Sequence, residues 1–278
     1  MPKRAVYAMA GAALAAVLLL ITWLLAFHVS FFRHEDANIL SGFAGLHRPR
    51  SAPIARAIAD LCNPNPYVYL CAIVLLIALL RRRPGVALVI VIVIFGANTT
   101  TQVLKPLLAA PRPPVPGIWT IAQASWPSGH ATAALSLALC AVLAAPARIR
   151  PAVAALGAMF AVAVSYSFLT LTWHYPSDVF GGFLIATAWT LMGIAALLTV
   201  RARRGLDLGG EAPTLRDALR PAAAALLGAL LLGVLLALAR PHQVIAYAQD
   251  HTAFVIGAAS IGAAGLMLAT GVMLALRR

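Results

Sequence analysis

Apolar positions along this chain do not alternate with polar ones. They run on for long unbroken stretches, and polar residues gather between them. A helix needs about 20 apolar residues to cross a bilayer. Runs of that kind predict spans at 5–27, 67–80, 85–104, 129–146, 151–173, 179–200, 221–239 and 253–275. The second run is short, so its helix is expected to begin nearer Ala57, with Asn63-Pro64-Asn65-Pro66 breaking or capping it. The chain thus reads as an all-α polytopic membrane protein. Six spans form a core over 1–200, a linker follows at 201–220, and a two-helix hairpin closes the chain over 221–278.

Composition supports this. Of the 278 residues, 62% are hydrophobic and 10% charged, against about 25% charged in a soluble domain. A water-facing surface could not be covered with so few charges. The net charge of +13 would otherwise raise nucleic-acid binding. The basic residues sit in short clusters between apolar runs, so no nucleic-acid partner is expected and the charge is assigned to membrane orientation. With the N-terminus inside, fourteen Lys and Arg fall on the cytoplasmic side and seven on the other. That bias and the even number of spans put both termini in the cytoplasm. The first run is too long for a signal peptide's apolar core of about 7–15 residues, so it is kept as an anchor. Cys62, Cys71 and Cys140 have no metal-ligand spacing and read as packing residues.

Three outer loops follow, at 28–66, 105–128 and 174–178. Phe31, Phe32, Ile39, Leu40, Phe43 and Leu46 in the first fit either an amphipathic interfacial helix or an ordinary structured loop. Ionisable residues near membrane depth are costly and call for a reason. The second and third loops collect Lys105, Arg112, His130, His174 and Asp178. If one helix continues through Trp173-His174-Tyr175-Pro176-Ser177-Asp178, His174 and Asp178 share a face. A carboxylate on one ring nitrogen frees the other as a nucleophile. Pro176 fits the first turn of the sixth span. Pro127-Ser128-Gly129-His130 opens the fourth span. Ser128 is a natural N-cap, Gly129 permits close approach of an anion to free backbone N–H groups, and His130 stands beside it as a proton donor. Lys105 and Arg112 flank a proline-stiffened turn suited to phosphate oxygens. Asn98, Thr101, Gln102 and Lys105 recur at three- and four-residue spacing, a polar stripe leading to that turn. Each piece taken alone also fits a plain helix cap or a snorkelling lysine.

Together the pieces resemble the type 2 phosphatidic acid phosphatase (PAP2) superfamily, which also includes vanadium haloperoxidases. Its pattern of K-x6-R-P, then P-S-G-H, then S-R-x5-H-x3-D is matched by Lys105-x6-Arg112-Pro113, by Pro127-Ser128-Gly129-His130, and by Ser167, His174 and Asp178. The resemblance covers about 30–200. It implies metal-free hydrolysis of a phosphomonoester or pyrophosphate, with no cofactor and no metal ligands. His174 is the implied nucleophile, Asp178 its orienting carboxylate and His130 the general acid. Lys105, Arg112, Ser128 and Gly129 are the implied phosphate ligands. One position departs: Phe168 stands where the family has a phosphate-binding arginine. Arg48, Arg50 and Arg56 of the first outer loop are the candidates to replace it. Otherwise the chain binds lipid phosphate without turnover. A transporter is a further alternative raised by the two extra spans, and a haloperoxidase is disfavoured because vanadate would lose a cation at Phe168.

The expected partner is therefore a membrane lipid phosphate reached sideways from the bilayer, at the periplasmic or external face of a multi-pass inner (plasma) membrane protein. Undecaprenyl pyrophosphate, phosphatidic acid and phosphatidylglycerol phosphate all suit the resemblance. Glycines 257, 262, 265 and 271 make the last hairpin a packing or homodimerisation element.

Overall fold

The computed structural model describes residues 1–112, 115, 121–204 and 214–276. Pro113, Gly205, Gly209, Gly210, Pro213, Arg277 and Arg278 lie outside the described residues. The described chain is helical, without strands. In order the helices are α1 Lys3–His28, α2 Ser30–Ala44, α3 Ala52–Asp60, α4 Pro64–Leu80, α5 Pro84–Leu107, α6 Gly129–Ala144, α7 Arg150–Thr170, α8 Pro176–Arg203, α9 Leu215–Ala239, α10 Pro241–Asp250 and α11 Thr252–Ala275. Six of them, α3, α4, α5, α7, α8 and α10, carry proline in the first two positions. There the missing N–H costs nothing and the fixed φ favours the helix.

Among the described residues, seven helices are long and apolar enough to cross a membrane. The pair α3 and α4, bent by 52° at the break, makes an eighth if counted as one span. That break falls at the Asn-Pro-Asn-Pro stretch whose prolines interrupt the second run. The segment 28–66, expected as the first outer loop, contains a helix, α2. Phe31 and Phe32 are exposed while Leu40 and Phe43 are buried, and Phe43 packs on Tyr166 and Phe254.

Helix α6 is the hub, with nearly every residue from Ala131 to Ala144 buried. Its many alanines let α5, α7 and α8 approach closely. Gly182 shows how closely: a Cβ there would lie 2.7 Å from the Ser128 carbonyl oxygen and 2.9 Å from the Thr132 nitrogen. Those are backbone atoms and cannot swing aside, so only glycine lets the start of α8 rest on the start of α6. Ala5, Ala8, Ala12 and Ala15 form a buried stripe on α1, which packs along α8. α11 packs on α7, α2 and α8, whereas α9 exposes almost its whole length.

Candidate functional site

One backbone hydrogen bond joins the N-terminal ends of α6 and α8, the fourth and sixth spans. The Ser128 N–H donates to the Asp178 carbonyl at 2.9 Å. Ser128 is also the N-cap of α6, its hydroxyl accepting from the Ala131 N–H at 3.3 Å. The first-turn N–H groups of α6 therefore open beside the turn that carries His174.

The helix does not continue from His174 to Asp178. α8 starts at Pro176, and His174 sits in the turn before it. The expected shared helical face is replaced by an end-of-helix arrangement. The Asp178 N–H donates to the Tyr175 carbonyl at 3.0 Å, and Asp178 Oδ2 accepts from the Tyr175 N–H at 3.1 Å. That same Oδ2 lies 3.1 Å from His174 Nδ1. Pro176 is the reason: its φ starts a helix, and the residue before a proline is pushed to extended backbone, as Tyr175 is at φ −85°, ψ 157°.

Asp178 is fully buried, and His174 is 7% exposed. The other Asp178 oxygen, Oδ1, accepts from Arg112 Nη2 at 2.7 Å. Arg112 also donates through Nη1 to Asp36 Oδ2 and to Ser177 Oγ, both at 2.9 Å. Its guanidinium lies over the Phe27 ring at 4.2 Å and the Tyr175 ring at 4.6 Å. Asp36 accepts in turn from the Ser177 N–H at 2.8 Å and Ser177 Oγ at 2.6 Å. Arg112 is thus held by two carboxylates, and direct contact with a phosphate would require it to loosen one of them. Burial pushes the Asp36 carboxyl up from 3.8 to about 6, against the pull of Arg112 and the Ser177 hydrogen bond, with the Asp178 charge adding to the rise.

Asp36 was missed in the sequence because it looked like one polar residue of an interfacial helix. A signal existed: it is one of only eight acidic residues in the chain.

Lys105 reaches the same place from α5. Its Nζ lies 3.8 Å from where a Gly129 Cβ would stand, with Gln102 Nε2 at 3.5 Å. Lys105 makes no salt bridge among the described residues. The polar stripe of α5 faces its neighbours inside the bundle: Asn98 donates to the Tyr67 hydroxyl at 3.1 Å, and Thr101 Oγ1 lies 3.0 Å from Thr132 Oγ1 of α6.

His130 and His174 face each other with ring centroids 6.4 Å apart. Phe168 is wholly buried beside both, 5.1 Å from the His174 ring and 6.0 Å from the His130 ring. Of the three arginines in the first outer loop, Arg56 lies nearby, its guanidinium 5.6 Å over the Trp173 ring, which is 5.6 Å from His130.

Residues that are 69 positions apart in the chain, from Lys105 to His174, are therefore gathered at one end of the bundle. They present a lysine beside open backbone N–H groups and two opposed imidazoles, one of them backed by a carboxylate. Chemically this can hold an anion, attack it and move a proton.

Residues 85–203 match the family model of the PAP2 superfamily. Among solved structures, the fold is similar to that of a chain described as the first transmembrane PAP2 type phosphatidylglycerolphosphate phosphatase from Bacillus subtilis. The TM-score is 0.58 at 21% identity, covering 69% of this chain and 98% of that one. No curated protein matches the sequence. Residues 85–203 thus match the PAP2 superfamily model, within an all-helical fold similar to that of a membrane PAP2 type phosphatase.

Proposed function

We propose that the protein is an integral membrane phosphatase that hydrolyses a lipid phosphate or pyrophosphate through a phosphohistidine, without a metal ion. The observation that carries this reading is the pair of opposed imidazoles, 6.4 Å apart, with Asp178 behind one of them. Asp178 accepts from His174 Nδ1, which leaves the Nε2 lone pair to attack phosphorus. The P–O bond to the lipid breaks and its electron pair leaves on the lipid oxygen, which His130 protonates. Asp178 stabilises the positive charge that develops on His174. Water then cleaves the phosphohistidine, with His130 as its base.

Lys105 and the first N–H groups of α6, with Ser128 capping them, balance the charge on the phosphoryl oxygens. Arg112 serves the same end by holding Asp178 in place and adding its own charge nearby. The active end faces the periplasm or exterior on the charge bias, and substrates of the undecaprenyl pyrophosphate, phosphatidic acid or phosphatidylglycerol phosphate type enter from the bilayer.

Phe168 favours a second reading: a protein that binds lipid phosphate without turnover, lacking one cation. Phosphate release from a panel of lipid phosphates by detergent-purified protein, with chelator present, separates the two. The phosphatase reading expects release by the wild type and none by His174→Ala. Release that chelator abolishes would defeat the metal-free mechanism, and wild-type binding without release would leave the second reading standing.

A further inference from the structure

Asn63 occupies the N-cap position of α4, yet its side chain makes no capping hydrogen bond. The sequence explains why. Pro64 and Pro66 take the N1 and N3 positions, so the N3 N–H, one of the two that an asparagine cap could serve, does not exist. The amide turns elsewhere. Its Nδ2 donates to Asp60 Oδ1 at 2.9 Å, and its Oδ1 lies 3.0 Å from His130 Nε2. A carboxylate only accepts hydrogen bonds, so Asp60 fixes which way the amide faces. The amide oxygen then points at His130 and requires Nε2 to carry a hydrogen. This contact spans 67 positions in sequence and joins the bend between α3 and α4 to the start of α6.

We propose that Asn63, backed by Asp60, is a positioning residue that locks His130 with its hydrogen on Nε2, so that Nδ1 is the nitrogen that delivers and takes the catalytic proton. The proposal rests on the phosphatase reading above. As the lipid P–O bond breaks, the proton on Nδ1 of the His130 imidazolium passes to the leaving oxygen, and neutral His130 keeps the Nε2 hydrogen on Asn63. The bend between α3 and α4 is then part of the catalytic apparatus and not merely a broken span.

The test compares kcat/KM for a lipid phosphate, whose alkoxide must be protonated as it leaves, with kcat/KM for p-nitrophenyl phosphate, whose phenolate leaves unaided. This ratio reports the first chemical step alone. For Asn63→Ala the lipid value is expected to fall roughly 10- to 100-fold, while the nitrophenyl value stays within about threefold of wild type. The double variant Asp60→Asn/Asn63→Asp exchanges donor and acceptor but keeps the chain of hydrogen bonds. It should recover about tenfold or more of the loss. Equal losses on both substrates, or a double variant no better than Asn63→Ala, would overturn the assignment. A wild type that releases phosphate from neither substrate would overturn the phosphatase reading, and this inference with it.

Discussion

Replacing Phe168 with arginine sets two large energies against each other. The wild-type ring is fully buried and packs edge-on against His174 at 5.1 Å. Losing it forfeits about 2–3 kcal/mol of burial. An arginine there would find Asp178, the acid behind His174, already held by Arg112 and His174. An uncompensated buried charge adds a penalty of about 3–5 kcal/mol. Bound phosphate offsets part of that cost, because the new cation gains a charge-assisted contact of about 1.5–3 kcal/mol. Phe168→Arg is therefore expected to melt at lower temperature than wild type in detergent. It should regain stability steeply as phosphate or vanadate is added, and if active it should hydrolyse lipid phosphate roughly ten- to a hundredfold faster. Phe168→Leu is the control: it should be only mildly destabilised, with no new response to phosphate. Thermal melts across a phosphate titration read both effects. A Phe168→Arg protein whose melting and phosphate response both match wild type would refute the idea that position 168 borders the anion site.

Three further outcomes follow from the same geometry. Gly182→Ala forces a methyl to within 2.7 Å of the Ser128 carbonyl, so it should cost about 1–3 kcal/mol in melting experiments and depress activity by parting α6 from α8; unchanged activity and stability would deny that contact its role. Asp36, raised from 3.8 to about 6, holds its proton more tightly folded than unfolded. Its contribution is present below pH 4 and is lost as pH rises through 6, so wild type should lose about 3 kcal/mol across that window relative to Asp36→Asn; parallel melting curves for the two proteins from pH 4 to 7 would contradict this. Arg112→Lys cannot reproduce the fork that binds Asp36 and Asp178 together, so activity should fall by tenfold or more, whereas a variant equal to wild type would reduce Arg112 to a simple charge.

The helices were readable because each span has to satisfy its backbone internally and to be apolar enough for lipid. Local punctuation was readable for the same kind of reason. Ser128 caps α6 through the N–H three residues on, and Pro176 starts α8 through its own φ and its restriction on Tyr175. What local pattern could not supply was partnership across the chain. Arg112 looks in sequence like a cation awaiting phosphate, but Asp36, 76 positions earlier, already faces it. Asn63 reads as a helix breaker until His130 is brought against it. The helical pairing of His174 with Asp178 failed at Tyr175, where the backbone is extended.

The most direct measurement is to trap the intermediate. Protein incubated briefly with a phosphorus-labelled lipid phosphate and quenched in alkali should hold label that is stable to base and lost in acid, on the peptide carrying His174, and His174→Ala should hold none. Label on any other residue, or phosphate release that continues undiminished in His174→Ala, would contradict the account.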